Sequence, residues 1–172
     1  MDLNKGRRTI TSTFQEPLHQ RGFSEAKRLT FTRGTRDRIE IIAFGLRKAK
    51  VGSKAGHICF GVGVGVRFEA IERALRNKNT DDRELFPTVG LSLHLLRPER
   101  KYTEWCFDDT NSPSMEVISD VDQYAVPFFD RYQNIDDVRS ALVSEDPRSW
   151  FTLSPAERRE MLDAIATLQS AT

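Results

Sequence analysis

The chain has 172 residues, of which 30% are charged and 38% hydrophobic, an ordinary globular mix for one domain. That length buries a sizeable core without help from a metal or a disulfide. The net charge of +1 excludes a histone-like or uniformly acidic protein, but it is a cancellation: residues 1–55 hold 13 Lys/Arg against 5 Asp/Glu, and residues 56–172 hold 13 against 20.

No run of 18 apolar residues is present, so no membrane-spanning helix is expected. The start, Met1 to Ile10, is polar and basic and lacks the apolar stretch of a signal peptide. Residues 1–9 read as a frayed basic arm on a single domain spanning 1–172. Ser12 can cap a first helix that carries Ile10, Phe14 and Leu18 at helical spacing, with Pro17 as a kink and Gly22 as its stop. Arg28 to Thr32 alternates as a strand, and Asp37 to Leu46 as a second. A basic connection, Lys48 to Lys54, leads into a third, His57 to Val66. Its two faces differ: Phe60, Val62, Val64 and Val66 on one, Cys59, Gly61, Gly63 and Gly65 on the other. Phe68 to Arg76 reads as a short inserted helix, and residues 77–87 as a polar excursion. Val89–Leu95 and Tyr102–Phe107 read as strands four and five.

After Phe107 the pattern turns helical. Ser119 with Asp122 looks like a capping pair for a helix that Pro127 kinks or restarts. Asn134 caps a helix through Leu142, and Ser154-Pro155-Ala156-Glu157 opens the last, which runs to about Gln169. Strands in a run followed by helices in a run predict an α+β fold: an antiparallel sheet of about five strands with an N-terminal helix, one inserted helix and three C-terminal helices on one side.

The chemistry is less explicit. The alternating Gly61-Val62-Gly63-Val64-Gly65 lacks the spacing of a dinucleotide loop. It predicts instead a trough on one sheet face, filled by packing or open to a small molecule or nucleotide. His19, His57 and His94 are scattered, so no metal site is expected. Cys59 and Cys106 have no Cys or His at ligand spacing, and two reduced, packed thiols are expected, hence a cytoplasmic protein. No cofactor and no reaction is indicated. The N-terminal cations could serve nucleic acid, but no aromatic-plus-basic motif accompanies them, which disfavours that role. Glu104 to Asp163 holds 14 Asp/Glu and 5 Lys/Arg. An acidic helical surface with Asp108, Asp109, Asp136, Asp137, Glu145 and Asp146 would steer a basic protein partner.

Several segments resemble a bacterial domain-of-unknown-function family, number 4304. They are Phe14 to Phe23 with its Gly-Phe ending, Leu29 to Phe31, Ile39 to Phe44, Phe60 to Val66, and Tyr124 to Phe129 with its internal proline. The resemblance covers about residues 12–143 and implies the fold rather than any site. Similar small α+β proteins occur as immunity partners of bacterial toxins. The leading expectation is therefore a non-enzymatic, immunity-type protein that neutralises a basic toxin through its acidic surface. The alternatives are a ligand site on Gly61, Gly63 and Gly65, and a nucleic-acid role for the basic third.

Overall fold

The computed structural model describes residues 1–50, 54–75, 85–144 and 154–170. Its sheet is antiparallel and has six strands: β1 (Ser24–Lys27), β2 (Thr30–Gly34), β3 (Arg38–Lys48), β4 (Ile58–Phe68), β5 (Val89–Ser92) and β6 (Trp105–Phe107). The helices are α1 (Leu3–His19), α2 (Glu69–Leu75), α3 (Glu116–Asp120), α4 (Val126–Arg131), α5 (Ile135–Val143) and α6 (Pro155–Ser170). The fold is α+β, as the order of signals predicts. Among the described residues no helix is long and apolar enough to cross a membrane.

β4 is the spine of the sheet. It pairs with β3 along its whole length, from Ile58 opposite Lys48 to Phe68 opposite Arg38. On its other side β5 covers Gly63–Val66 and β6 covers Ile58–Phe60. β5 and β6 are thus two pieces of one edge, interrupted by residues 93–104.

The two faces divide as the alternation predicts. Phe60, Val62, Val64 and Val66 of β4, with Ile42 and Phe44 of β3, enter the hydrophobic core. Helix α1 lies on this face and inserts Phe14, which stacks on Phe44 with ring centroids 5.0 Å apart and meets Phe60 at 5.9 Å. Phe23, Phe129 and Tyr132 complete an aromatic layer beneath α4. Cys59, Gly61, Gly63 and Gly65 point the other way, and neither Cys59 nor Ile41 belongs to the core cluster.

Residues 1–9 are not a frayed arm. Asp2 caps α1 by accepting the Lys5 amide at 2.8 Å, and Ser12 lies inside the helix. Leu3 and Gly6 extend the inner stripe of Ile10, Phe14 and Leu18, and Gly6 sits against Ile58, where a Cβ would come within 3.0 Å. Pro17 falls in the last turn, which it does not break. Gly22 (φ +80°) then lets the Phe23 amide reach the Leu18 carbonyl at 3.0 Å, the reversal expected of it.

β1 has no hydrophobic alternation and all four residues are exposed, so periodicity could not mark it. The last two predicted strands are shorter than expected. The chain leaves the sheet after Ser92 in a single 3-10 turn, Leu93–Leu95, and returns only at Trp105. Helix α3 begins at Glu116, so Ser119 is internal rather than a cap. A π-helical turn, Val121–Ala125, precedes α4, and the Val126 amide donates to the Val121 carbonyl. The wider turn accommodates Pro127, whose ring would crowd an ordinary i−4 carbonyl. The caps of α5 and α6 form as predicted: Asn134 pairs reciprocally with Asp137, and Ser154 with Glu157. Glu145, Asp146 and most of the predicted polar excursion lie outside the described residues.

The cysteines are not reduced thiols. Cys59 and Cys106 are direct cross-strand partners on β4 and β6 and form a disulfide. A linear reading could not place them together because the strand order was open. With the disulfide, the thiol-based support for a reducing compartment is lost.

Candidate functional site

The glycine face of β4 is divided into a filled part and an open part. At Gly65 a Cβ would lie 2.3 Å from a Pro87 ring carbon, and at Gly90, its cross-strand partner, 2.7 Å from the same ring. Pro87 therefore packs flat on this glycine pair, and a glycine is required at each. Gly45 and Gly61, also direct partners, have no atom within 4 Å of a Cβ position. At Gly63 the nearest atom is the Ala43 carbonyl oxygen, at 3.9 Å.

Gly45, Gly61, Ala43 and Gly63 thus form a floor with no side chain larger than a methyl. Strand spacing and the two-residue repeat give it a footprint of about 5 by 7 Å, the size of one aromatic ring. Above it is a groove of about 440 Å³, walled by Leu46, Arg47, Ser92, His94, Tyr102 and Glu104. Its outer wall is the 93–104 excursion, present because the edge strand breaks between Ser92 and Trp105.

The walls carry varied chemistry. Tyr102 is 68% exposed and meets His94 edge-on, with ring centroids 5.2 Å apart. Burial, with Arg97 nearby, lowers the His94 pKa from its usual 6.5 and so favours the neutral imidazole. Neither His94 nor the Ser92 hydroxyl, opposite Gly63, has a hydrogen bond among the described residues. At the rim Arg47 holds Glu104 through two contacts, 2.6 and 2.5 Å. Arg97 anchors the wall from behind: it reaches Asp120 and, at 2.7 Å, Glu116, and its guanidinium lies 5.6 Å from the Trp105 ring centroid.

The carboxylates singled out as a partner surface have other engagements. Asp109 binds Lys5 at 2.6 Å and the N-terminal ammonium at 3.0 Å, and these hold its pKa below the usual carboxylate value. Asp108 accepts two bonds from Thr110 and faces His57 at 2.9 Å; the Thr110 bonds lead in lowering its pKa. Asp137 closes the α5 capping box, and Asp136 contacts Gln169 at 2.5 Å. Asp108 and Asp109 lie near the Ile58 end of β4, whereas Asp136 and Asp137 lie near its Phe68 end. An 11-residue strand separates these ends by about 30 Å, so the two pairs form no single patch.

Part of the basic third is similarly engaged. Arg33 and Arg38 clamp the buried Glu40, and Arg38 also donates to the Phe129 and Tyr132 carbonyls at the end of α4, each at 2.7 Å. Arg21 pairs with Asp122 through both carboxylate oxygens. Among the described residues the compact His/Cys/Asp/Glu group is Cys59, Glu104 and Cys106, with donor atoms within 4.8 Å of one another. Its two sulfurs are bonded together and offer no thiolate.

No family model matches the chain, and no match is found among curated proteins or solved structures. Sequence alternation located Gly61 and Gly63. It missed Gly45, whose partnership with Gly61 depends on register, and the wall residues Ser92, His94, Tyr102 and Glu104, which depend on the interrupted edge.

Proposed function

We propose that the protein is a small-molecule-binding module that holds a flat heteroaromatic ligand on Gly45, Gly61 and Gly63. The observation that carries this is the bare floor. A strand glycine costs about 0.5–1 kcal/mol relative to alanine, and at Gly45 and Gly61 no neighbouring atom requires its small size. A ring lying on the floor would meet peptide planes below and the Tyr102 ring beside it. The Ser92 hydroxyl and the His94 ring line the groove and could read polar edges of such a ligand. A charged substituent such as a phosphate or an ammonium would reach Arg47 or Glu104 at the rim by exchanging their mutual contact. A nucleobase or nucleotide has this combination of features.

Capture of a basic toxin by Asp108, Asp109, Asp136 and Asp137 is less well supported. Each of these four already accepts a hydrogen bond within the chain, and the two pairs lie at opposite ends of the sheet.

The test is calorimetric titration with mononucleotides and neutral heteroaromatics, on the natural chain and on Gly63→Val. A Cβ at Gly63 meets no atom closer than 3.9 Å, and the valine methyls beyond it enter the groove. Micromolar to millimolar binding that weakens at least about tenfold in Gly63→Val, with unchanged circular dichroism, is expected. Equal affinity in both proteins would remove the groove from consideration.

A further inference from the structure

We propose that the Cys59–Cys106 disulfide is a thiol-exchange site at which a low-molecular-weight thiol attacks Cys106 Sγ. Four observations lead there. The bond lies on the same sheet face as the open glycines, away from the hydrophobic core. Its two ends are unequal: Cys59 is 1% exposed, whereas Cys106 is half-buried. Cys106 is thus the more accessible residue of the pair, which makes it the point of attack and Cys59 the leaving sulfur. The strand that carries Cys106 is three residues long and pairs with β4 at only three positions. Finally, the surroundings are polar. Arg47 is the direct partner of Cys59 across β3 and β4, and His57, two residues before Cys59, contacts Asp108, two residues after Cys106.

Charge around the sulfurs is mixed. Arg47 is bound to Glu104, whose carboxylate oxygen lies within 4.8 Å of both sulfurs, and His57 faces Asp108. Arg47 offsets the Glu104 charge that would otherwise oppose a thiolate at Cys59.

The exchange balances as follows. The incoming thiol loses its proton to solvent, and its thiolate attacks Cys106 Sγ. The Sγ–Sγ bond breaks, its electron pair leaves on Cys59 Sγ, and a mixed disulfide remains on Cys106. A second thiolate attacks the small-molecule sulfur of that mixed disulfide and releases Cys106. Two small thiols are oxidised to their disulfide, and the protein disulfide is reduced to two thiols, which take up the two protons. This step does not depend on the groove ligand proposed above.

The experiment uses the folded full chain in graded mixtures of reduced and oxidised glutathione. Free thiols are tagged by alkylation and counted by mass spectrometry, with circular dichroism recorded in parallel. The expected result is a reversible passage between no tags and two tags while the native spectrum persists. Cys59→Ser should acquire glutathione on Cys106 at least about tenfold faster than Cys106→Ser acquires it on Cys59, because Cys106 is the more exposed residue. Arg47→Gln should slow reduction by about three- to tenfold, since Glu104 then faces the sulfurs alone. A bond that stays closed across all mixtures would overturn the proposal. So would opening only together with loss of the native spectrum, or equal rates in the two serine variants.

Discussion

At the scale of single residues, the glycines of β4 are not equivalent. Gly65 is held bare by the Pro87 ring, whereas Gly61 has open space above it. Alanine substitution separates the two cases. Gly61→Ala and Gly45→Ala should each raise stability by about 0.5–1 kcal/mol, because the backbone loses less entropy on folding and nothing is displaced. Gly65→Ala should lower it by about 1–3 kcal/mol through overpacking against proline. Urea denaturation of the three variants reads both signs at once. A loss of stability in Gly61→Ala would mean that packing, not a ligand, requires that glycine. The alternation of valine and glycine made two faces legible in the sequence, but not which glycines are covered, because Pro87 lies 22 residues beyond Gly65 in the chain.

At the scale of elements, the decisive feature is the broken edge strand. Val89–Ser92 and Trp105–Phe107 both look like strands in isolation, and both are. What a linear reading could not show is that they line up on the same side of β4, with residues 93–104 thrown out between them as a wall. Arg97 holds that wall to α3. Its side chain is 11% exposed and that of Asp120 8%, and burial pushes the Asp120 carboxyl up against the pull of Arg97. Arg97→Ala leaves this carboxyl without its partner. A loss of about 2–3 kcal/mol is expected, below the fully buried case because Glu116 is exposed. In hydrogen exchange the amides of residues 93–104 should lose protection before those of β3 and β4. Uniform loss across the sheet would show that Arg97 supports the whole fold rather than the wall. The helix caps illustrate the opposite situation. Asn134 with Asp137 and Ser154 with Glu157 use only residues within one turn, so sequence spacing sufficed to find them.

At the scale of the molecule, the oppositely charged parts of the chain meet in the fold. Lys5 with Asp109, Arg21 with Asp122 and Arg47 with Glu104 each join the first 55 residues to the last 70. The composition showed the two opposite excesses, but not that they meet across the fold. A pH dependence follows. Lys5 and then the N-terminal ammonium lower the Asp109 pKa, so its folded value lies below its unfolded one. The stability this contributes is complete above the unfolded value of about 3.9 and is lost as pH falls through the lower folded value. Asp109→Asn should therefore flatten the fall in melting temperature below about pH 4. An unchanged acid limb would show that this pair contributes nothing to folding. Amide chemical-shift mapping reads whether the open glycine groove is a ligand seat. When a mononucleotide or neutral heteroaromatic is added to the isotope-labelled chain, the largest shifts should fall on Gly45, Gly61, Gly63, Ser92 and His94. Shifts centred on Asp136 and Asp137 instead, or no shifts at millimolar ligand, would contradict it.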